Sequence, residues 1–229
     1  MNKTKIVASN LEFLKLLKKN NNREWFAAHK ERFLLEQQKM VDFADALLFE
    51  MNKHDVLETL SGKKSLYRIY RDTRFSKDKT PYKTNWAGGF QRATKKRRGG
   101  YYFHIEPGNS FVSGGFWGPE PKDLKRIRDE FAYDAAPMRK ILKSKSFINT
   151  FGNLKGEQIK TSPKGFSSDN AAIDLIRYKQ FLLVKKFTDK EVMNDKFVNQ
   201  VNDTFKKMRS FFDYMTEVLT TDENGISTV

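Results

Sequence analysis

The stretch from Tyr101 to Ser113 constrains the fold of this chain more than any other. Tyr101-Tyr102-Phe103-His104-Ile105 has the aromatic, β-branched character of a strand. Pro107-Gly108-Asn109-Ser110 is a turn, and Phe111-Val112-Ser113 returns from it. A β-hairpin follows, so an antiparallel pair of strands lies near the middle of the chain. Two further segments carry strand signals. Ser65 to Arg71 alternates and is rich in Tyr and Ile, and Phe181-Leu182-Leu183-Val184 reads as a buried strand or apolar connector. Gly88-Gly89, Gly99-Gly100 and Gly114-Gly115 read as bends or strand ends, and none has the context of a dinucleotide-binding turn.

Helical spacing flanks this middle on both sides. Ser9 or Asn10 is the expected cap of a first helix with Leu11, Leu14 and Leu17 on one face, and Asn20-Asn21-Asn22 ends it. A long second helix is expected from near Arg23 to about Asn52, carrying Trp25, His29, Phe33, Met40, Phe43, Leu47 and Met51. Pro119-Glu120-Pro121 opens a helix with Leu124, Ile127 and Phe131, and another holds Met138, Ile141 and Leu142. After an irregular stretch from Gly152 to Ser168, Asp169 is the expected cap of a short helix through Ile173 and Ile176. A last helix starts near Asp195 and carries Phe197, Val201, Phe205, Met208, Phe212, Met215 and Leu219. The pattern is that of an α+β fold: a single domain over residues 1–229, with an antiparallel or mixed central sheet packed by helices from both chain ends. The ordered part runs from about residue 10 to about residue 219, and the polar tail 220–229 is expected to fray.

Composition narrows the function classes. Twenty Phe, eight Tyr and three Trp supply enough apolar material for a sizeable core. The absence of cysteine excludes disulfides, thiolate metal sites and cysteine nucleophiles. No apolar run approaches the roughly 20 residues of a membrane helix. The N-terminus MNKTKIVASN lacks the apolar stretch of a signal peptide, so a cytoplasmic protein without membrane contact is expected. Three scattered histidines give no metal pattern, no cofactor motif is present, and no nucleophile elbow or phosphate loop appears. Enzymatic activity and oligomeric state stay open at this level.

The net charge of +15 is unevenly spread. Between Lys63 and Arg98 thirteen basic residues face only Asp72 and Asp78, so this segment carries +11 of the total. Such a field recruits anions, although a solvated, solubilising face is the plainer explanation of charge alone. Within it, Arg68, Arg71, Arg74, Lys77, Lys79 and Lys83 fall in sixteen residues, with Thr73, Ser76, Thr80 and Tyr82 as hydroxyl donors. Guanidiniums suit bidentate capture of phosphate or carboxylate, and ammoniums act as point charges. The anion-binding candidates are Arg68, Arg71, Arg74, Ser76, Lys79, Tyr82 and Lys83. A salt-bridged structural loop is the competing reading of the same residues.

Catalytic candidates are weaker. Asp72 and Asp78 sit among arginines that stabilise their charged forms, so they suit orientation or magnesium contact better than proton transfer. On a strand, Tyr102, His104 and Glu106 share one face, within reach of a His–Glu contact. A polar strand face whose His merely satisfies a hydrogen bond is the plainer alternative. His29 reads as a packed helix histidine, and His54 as loop decoration. Separately, Arg92, Lys95, Lys96, Arg97 and Arg98 form a basic loop within residues 91–100, next to Tyr101, Tyr102 and Phe103. Such a loop can grip a nucleic-acid backbone, or can be a solvated hairpin tip.

The run YRIYRDTRFSKDKTPYKTN from Tyr67 carries a resemblance, together with YYFHIEPG from Tyr101, Trp25-Phe26 with His29-Lys30, and SPKGF from Ser162. The chain resembles domain-of-unknown-function family 2461, found mostly in bacteria, from Phe13 to about Tyr214. His29 departs from the family, which more often places Asn before that Lys. The resemblance implies a shared fold and a shared polar centre, and it supplies no reaction. Three functions remain in view. The first is a pocket for a small phosphate- or carboxylate-bearing ligand, with or without catalysis. The second is a nucleic-acid surface on the basic loop. The third is a structural or interaction protein with a salt-bridged centre.

Overall fold

Several helix starts in this protein, those of Arg23, Gly62, Lys145 and Asp189, are capped by a side chain that accepts a backbone N–H. The computed structural model describes residues 5–93, 95–222 and 225–229. The first four residues, Thr94 of the basic loop, and Glu223 and Asn224 of the tail lie outside the described residues. The cap of α1 (Ala8–Lys19) is Val7 and not Ser9 or Asn10. Asn10 occupies the third helical position, where its Oδ1 accepts the Val7 N–H at 3.0 Å. The Asn run acts as the sequence predicts: Asn20 closes α1, and the Asn22 side chain accepts the Trp25 N–H at 2.8 Å to cap α2 (Arg23–Ala28).

The expected single long helix is divided at His29. Its backbone leaves helical geometry (φ −112°, ψ 15°), and its Nδ1 donates to the Trp25 carbonyl at 2.8 Å. The chain resumes as α3 (Lys30–Met51). The last helix is divided in the same way at Met208, into α10 (Phe197–Lys207) and α11 (Arg209–Thr220). The Met208 N–H bonds three residues back to Phe205, tightening that turn.

Residues 65–71 do not form the predicted strand. The short α4 (Gly62–Ser65) takes their start, and the rest makes isolated antiparallel bridges, Leu66 with Gly88 and Tyr70 with Tyr82. The pairing partner is instead β1 (Trp86–Gln91), which runs straight through Gly88-Gly89 where a bend or strand end was expected. Glycine is required there because a Cβ at Gly88 would stand 2.6 Å from the Phe103 ring and 2.9 Å from the Ser65 carbonyl oxygen. β2 (Gly100–Ile105) and β3 (Ser110–Phe116) are the predicted hairpin, and β4 (Phe181–Phe187) is the predicted buried strand. The four strands form an antiparallel sheet in the order β1-β2-β3-β4, and the fold class is α+β as expected.

Between β3 and β4 lie α5 (Pro121–Tyr133), α6 (Ala136–Leu142), α7 (Lys145–Phe151) and α8 (Ile173–Ile176). Ala172, not Asp169, precedes α8, and the Asp169 N–H is spent on the Ser167 hydroxyl. After β4, Thr188 and Glu191 cap α9 (Asp189–Val192) reciprocally. In the tail, Thr221 and Ser227 pair as an isolated bridge.

The chain gathers into two compact units. The first holds the residues up to Phe90 with Tyr102–Val112 and Lys186–Asp203, and the second holds Gln91–Tyr101, Ser113–Lys185 and the residues from Thr204 onward. In the first, Phe43 of α3 meets Phe103 edge-on at 5.5 Å and stacks on Phe197 at 5.7 Å. In the second, Tyr101 packs on Phe205 and Phe212, both at 4.9 Å. Alternation along β2 buries Tyr101, Phe103 and Ile105, and leaves Tyr102 and His104 on its less buried face.

Candidate functional site

In the first unit, the less buried face of β2 adjoins a cleft of about 350 Å³. Tyr67, Arg71, Asp72, Lys83, Asn85, Ala87 and Tyr102 line it. The cleft is possible because the 66–71 segment runs beside β1, where the Tyr67 N–H donates to the Ala87 carbonyl at 2.9 Å. The Tyr67 ring then stacks near Tyr102, at 6.0 Å between centroids. The Lys83 ammonium lies 5.9 Å from the same ring.

The charges of this cleft are unequally satisfied. Arg71 donates to Asp78 at 2.5 Å and to the Thr80 hydroxyl. Arg74 grips Asp72 with two bonds, 3.0 Å from Nε and 2.7 Å from a terminal nitrogen. The Arg74 bonds hold the Asp72 carboxyl below its ordinary value. The Thr80 N–H, then Arg71 and the Thr80 hydroxyl, bring Asp78 down to about 2. Both carboxylates are therefore ionised and spent on their neighbours, which removes them as proton-transfer groups. Lys83 differs. Its ammonium donates to the Arg68 carbonyl at 3.0 Å and forms no carboxylate pair among the described residues. Burial, then the nearby Arg68 charge, pulls its pKa below the usual lysine value.

Of the predicted anion-binding residues, only Arg71 and Lys83 line the cleft. Arg68 is exposed and acts on the others through its charge. Arg74 is turned to Asp72. Lys79 donates to the Thr73 carbonyl at 2.9 Å, and Ser76 uses its N–H on the same carbonyl. Tyr82 is a core residue, stacked on Phe26 at 4.0 Å, with Asn21 bonded to its backbone on both sides. The 68–83 loop is thus largely an ordered scaffold that presents two cations.

Tyr102, His104 and Glu106 form a hydrogen-bonded row along β2 and its exit. The Tyr102 hydroxyl is 3.0 Å from His104 Nδ1, and His104 Nε2 is 3.1 Å from Glu106 Oε2. Phe111 of β3 stacks on the imidazole at 4.7 Å, and Asn109 donates to Glu106 at 2.9 Å. Burial raises the Glu106 pKa, but the bonds from Asn109 and His104 outweigh it, so the carboxyl lies below its usual value. A carboxylate accepts only, so Nε2 donates to Glu106, and an imidazole whose one N–H is on Nε2 accepts from the Tyr102 hydroxyl at Nδ1. Desolvation, then the neighbouring Tyr67 and Glu106, push Tyr102 up to about 12. Tyr102 and the apolar cleft wall of Tyr67 and Ala87 were missed as site residues. The period-two face was readable for Tyr102, whereas Tyr67 and Ala87 meet only through tertiary pairing.

The basic loop is taken up partly by the second unit. The Arg92 side chain is 1% exposed and pairs with Asp213 at 2.9 Å. It also donates to the Arg98 carbonyl and the Thr216 hydroxyl, and lies over the Phe212 ring. This corrects its place as a phosphate-gripping candidate, since so buried a guanidinium meets no backbone phosphate. Arg98 pairs with Asp123. Lys95 and Lys96 are exposed and Arg97 is half-buried. Among the described residues no three of His, Asp and Glu group as a metal site, and no helix is long and apolar enough to cross a membrane.

No curated protein and no solved structure matches this chain. Its segments YRIYRDTRFSKDKTPYKTN and YYFHIEPG supply Tyr67, Arg71, Asp72, Lys83, Asn85 and Tyr102 of the cleft lining and the hydrogen-bonded row of Tyr102, His104 and Glu106. Residues 9–214 match the family described as conserved hypothetical protein (DUF2461), and the chain belongs to that family.

Proposed function

We propose that the cleft of the first unit binds a small anion carrying a phosphate or carboxylate group. Lys83 carries this reading. It lines the cleft, is partly desolvated, and spends its charge on a carbonyl rather than a carboxylate. A desolvated ammonium without a counter-ion gains most from an incoming anion. Arg71 stands beside it with guanidinium N–H groups beyond those used on Asp78 and Thr80. Asp72, the negative residue of the lining, has its charge met by Arg74, so it opposes an anion weakly. Asn85 adds an amide able to donate.

The structural alternative draws its support from the Arg71–Asp78 and Arg74–Asp72 pairs, which explain the order of the loop. They leave Lys83 unexplained. The nucleic-acid alternative is weakened by the burial of Arg92 and the pairing of Arg98.

Thermal melting against phosphate, sulfate, nucleotides and sugar phosphates at fixed ionic strength separates these readings. Stabilisation by a subset of anions, lost in Lys83→Met, is the expected result. Equal response of wild type and Lys83→Met to every anion would reject the cleft as the site.

A further inference from the structure

We infer that Tyr102 is the acid–base group of this cleft, passing a proton to and from His104 while Glu106 fixes the imidazole tautomer. The inference rests on the anion-binding reading and adds to it the kind of ligand: one that bears an exchangeable X–H beside its anionic group. Two observations meet at Tyr102. It lines the cleft together with Lys83 and Arg71, and its hydroxyl is 3.0 Å from His104 Nδ1. Behind it the row continues, with His104 Nε2 at 3.1 Å from Glu106 Oε2.

The groups around the row are few. From its own segment come Tyr102, Glu106 and Asn109; from β3 comes the Phe111 ring. Thr84 reaches Glu106 at 3.5 Å, Tyr67 stands next to Tyr102, and Lys18 acts on Glu106 through its charge. No second base competes for the Tyr102 proton among these residues.

The transfer balances as follows. The ligand's X–H bond breaks and leaves its electron pair on X, and the proton bonds to the Tyr102 oxygen. The former Tyr102 proton bonds to His104 Nδ1. The imidazolium so formed keeps its Nε2–H on the Glu106 carboxylate, and the reverse path returns the proton. Free tyrosinate is not a resting form of this site, because burial holds the Tyr102 proton on. Tyr102 would touch the ligand, whereas His104 and Glu106 act through it.

Hydrogenphosphate is a suitable probe, since it carries an anionic oxygen and a P–O–H. The test records imidazole nitrogen resonances of the ¹⁵N-labelled full chain, with His104→Gln for assignment, and Lys83 Nζ as the reporter of binding. Wild type should show His104 protonated on Nε2. Tyr102→Phe should shift Nδ1 by several ppm towards the unbonded value and leave Nε2 in place. Saturating phosphate should move both ring nitrogens in wild type and neither in Tyr102→Phe, although Lys83 still responds in both. A proton on Nδ1 of resting His104, or the same phosphate response in wild type and Tyr102→Phe, would overturn the relay. If Lys83 ignores phosphate, the anion reading fails by itself. The relay then stands or falls on the tautomer and on the Nδ1 shift.

Discussion

Arg71 and Asp78, seven positions apart in the chain, are joined at 2.5 Å, and the Thr80 N–H holds the same carboxylate at 2.9 Å. One cation of the cleft is therefore fastened to a carboxylate, while Lys83 meets the Arg68 carbonyl and the Tyr67 ring. This difference decides which substitution should disturb the loop and which should disturb ligand binding.

Arg71→Ala should leave the protein folded and raise the titration midpoint of Asp78 from about 2, without restoring the ordinary value, because the Thr80 N–H is the larger cause. The sign follows from a depressed carboxylate. Its stabilising contribution is complete above the unfolded-state value and fades as the pH falls through about 2. Side-chain ¹³C titration of Asp78 measures this. An unaltered midpoint would mean that the ion pair is absent in solution.

Arg92→Met should destabilise the protein by about 2–4 kcal/mol. It strips a buried guanidinium from Asp213, Thr216 and the Arg98 carbonyl, although the exposed Asp213 can rehydrate. Lys95→Ala, a few residues along the same basic run, should change stability by no more than about 0.5 kcal/mol. Urea denaturation compares the two, and equal effects would contradict the burial of Arg92.

Gly88→Ala should cost about 1–3 kcal/mol by forcing Phe103 and the Ser65 backbone apart. The pairing of Leu66 with Gly88 should loosen with it, seen as faster amide exchange at Tyr67. Unchanged exchange there would show that the 66–71 segment is held by other contacts.

Tyr102 should remain protonated until about pH 12, later than an exposed tyrosine. A phenol whose folded-state pKa is raised costs stability as the pH climbs from the unfolded value towards the folded one. Between about pH 10 and 12 the wild type should therefore lose more melting temperature than Tyr102→Phe. Parallel losses would place Tyr102 in water.

The parts of this protein that were legible in its sequence are those fixed by local chemistry. The Asn20–Asn22 stop, the Pro121 start, the 101–113 hairpin and the Tyr102/His104/Glu106 face all depend on short-range geometry. What escaped depends on partners far along the chain. β1 was hidden because Gly88-Gly89 has little strand propensity, and only the close approach of Phe103 explains it. The break at His29 is accompanied by an imidazole–carbonyl bond that no periodicity reveals. Arg92 looked like its four basic neighbours until Asp213, 121 residues away, was found beside it. In the 68–83 run, counting cations against acids predicted surplus charge but could not say that, of the two cations lining the cleft, Arg71 is paired with Asp78 and Lys83 is bonded to a carbonyl.

Anomalous diffraction from crystals soaked in tungstate, a heavy mimic of phosphate, addresses the cleft most directly. An anomalous peak within hydrogen-bond reach of Lys83 Nζ and absent in Lys83→Met is the predicted result. An empty cleft in crystals whose tungstate settles only around exposed lysines such as Lys95 and Lys96 would contradict it.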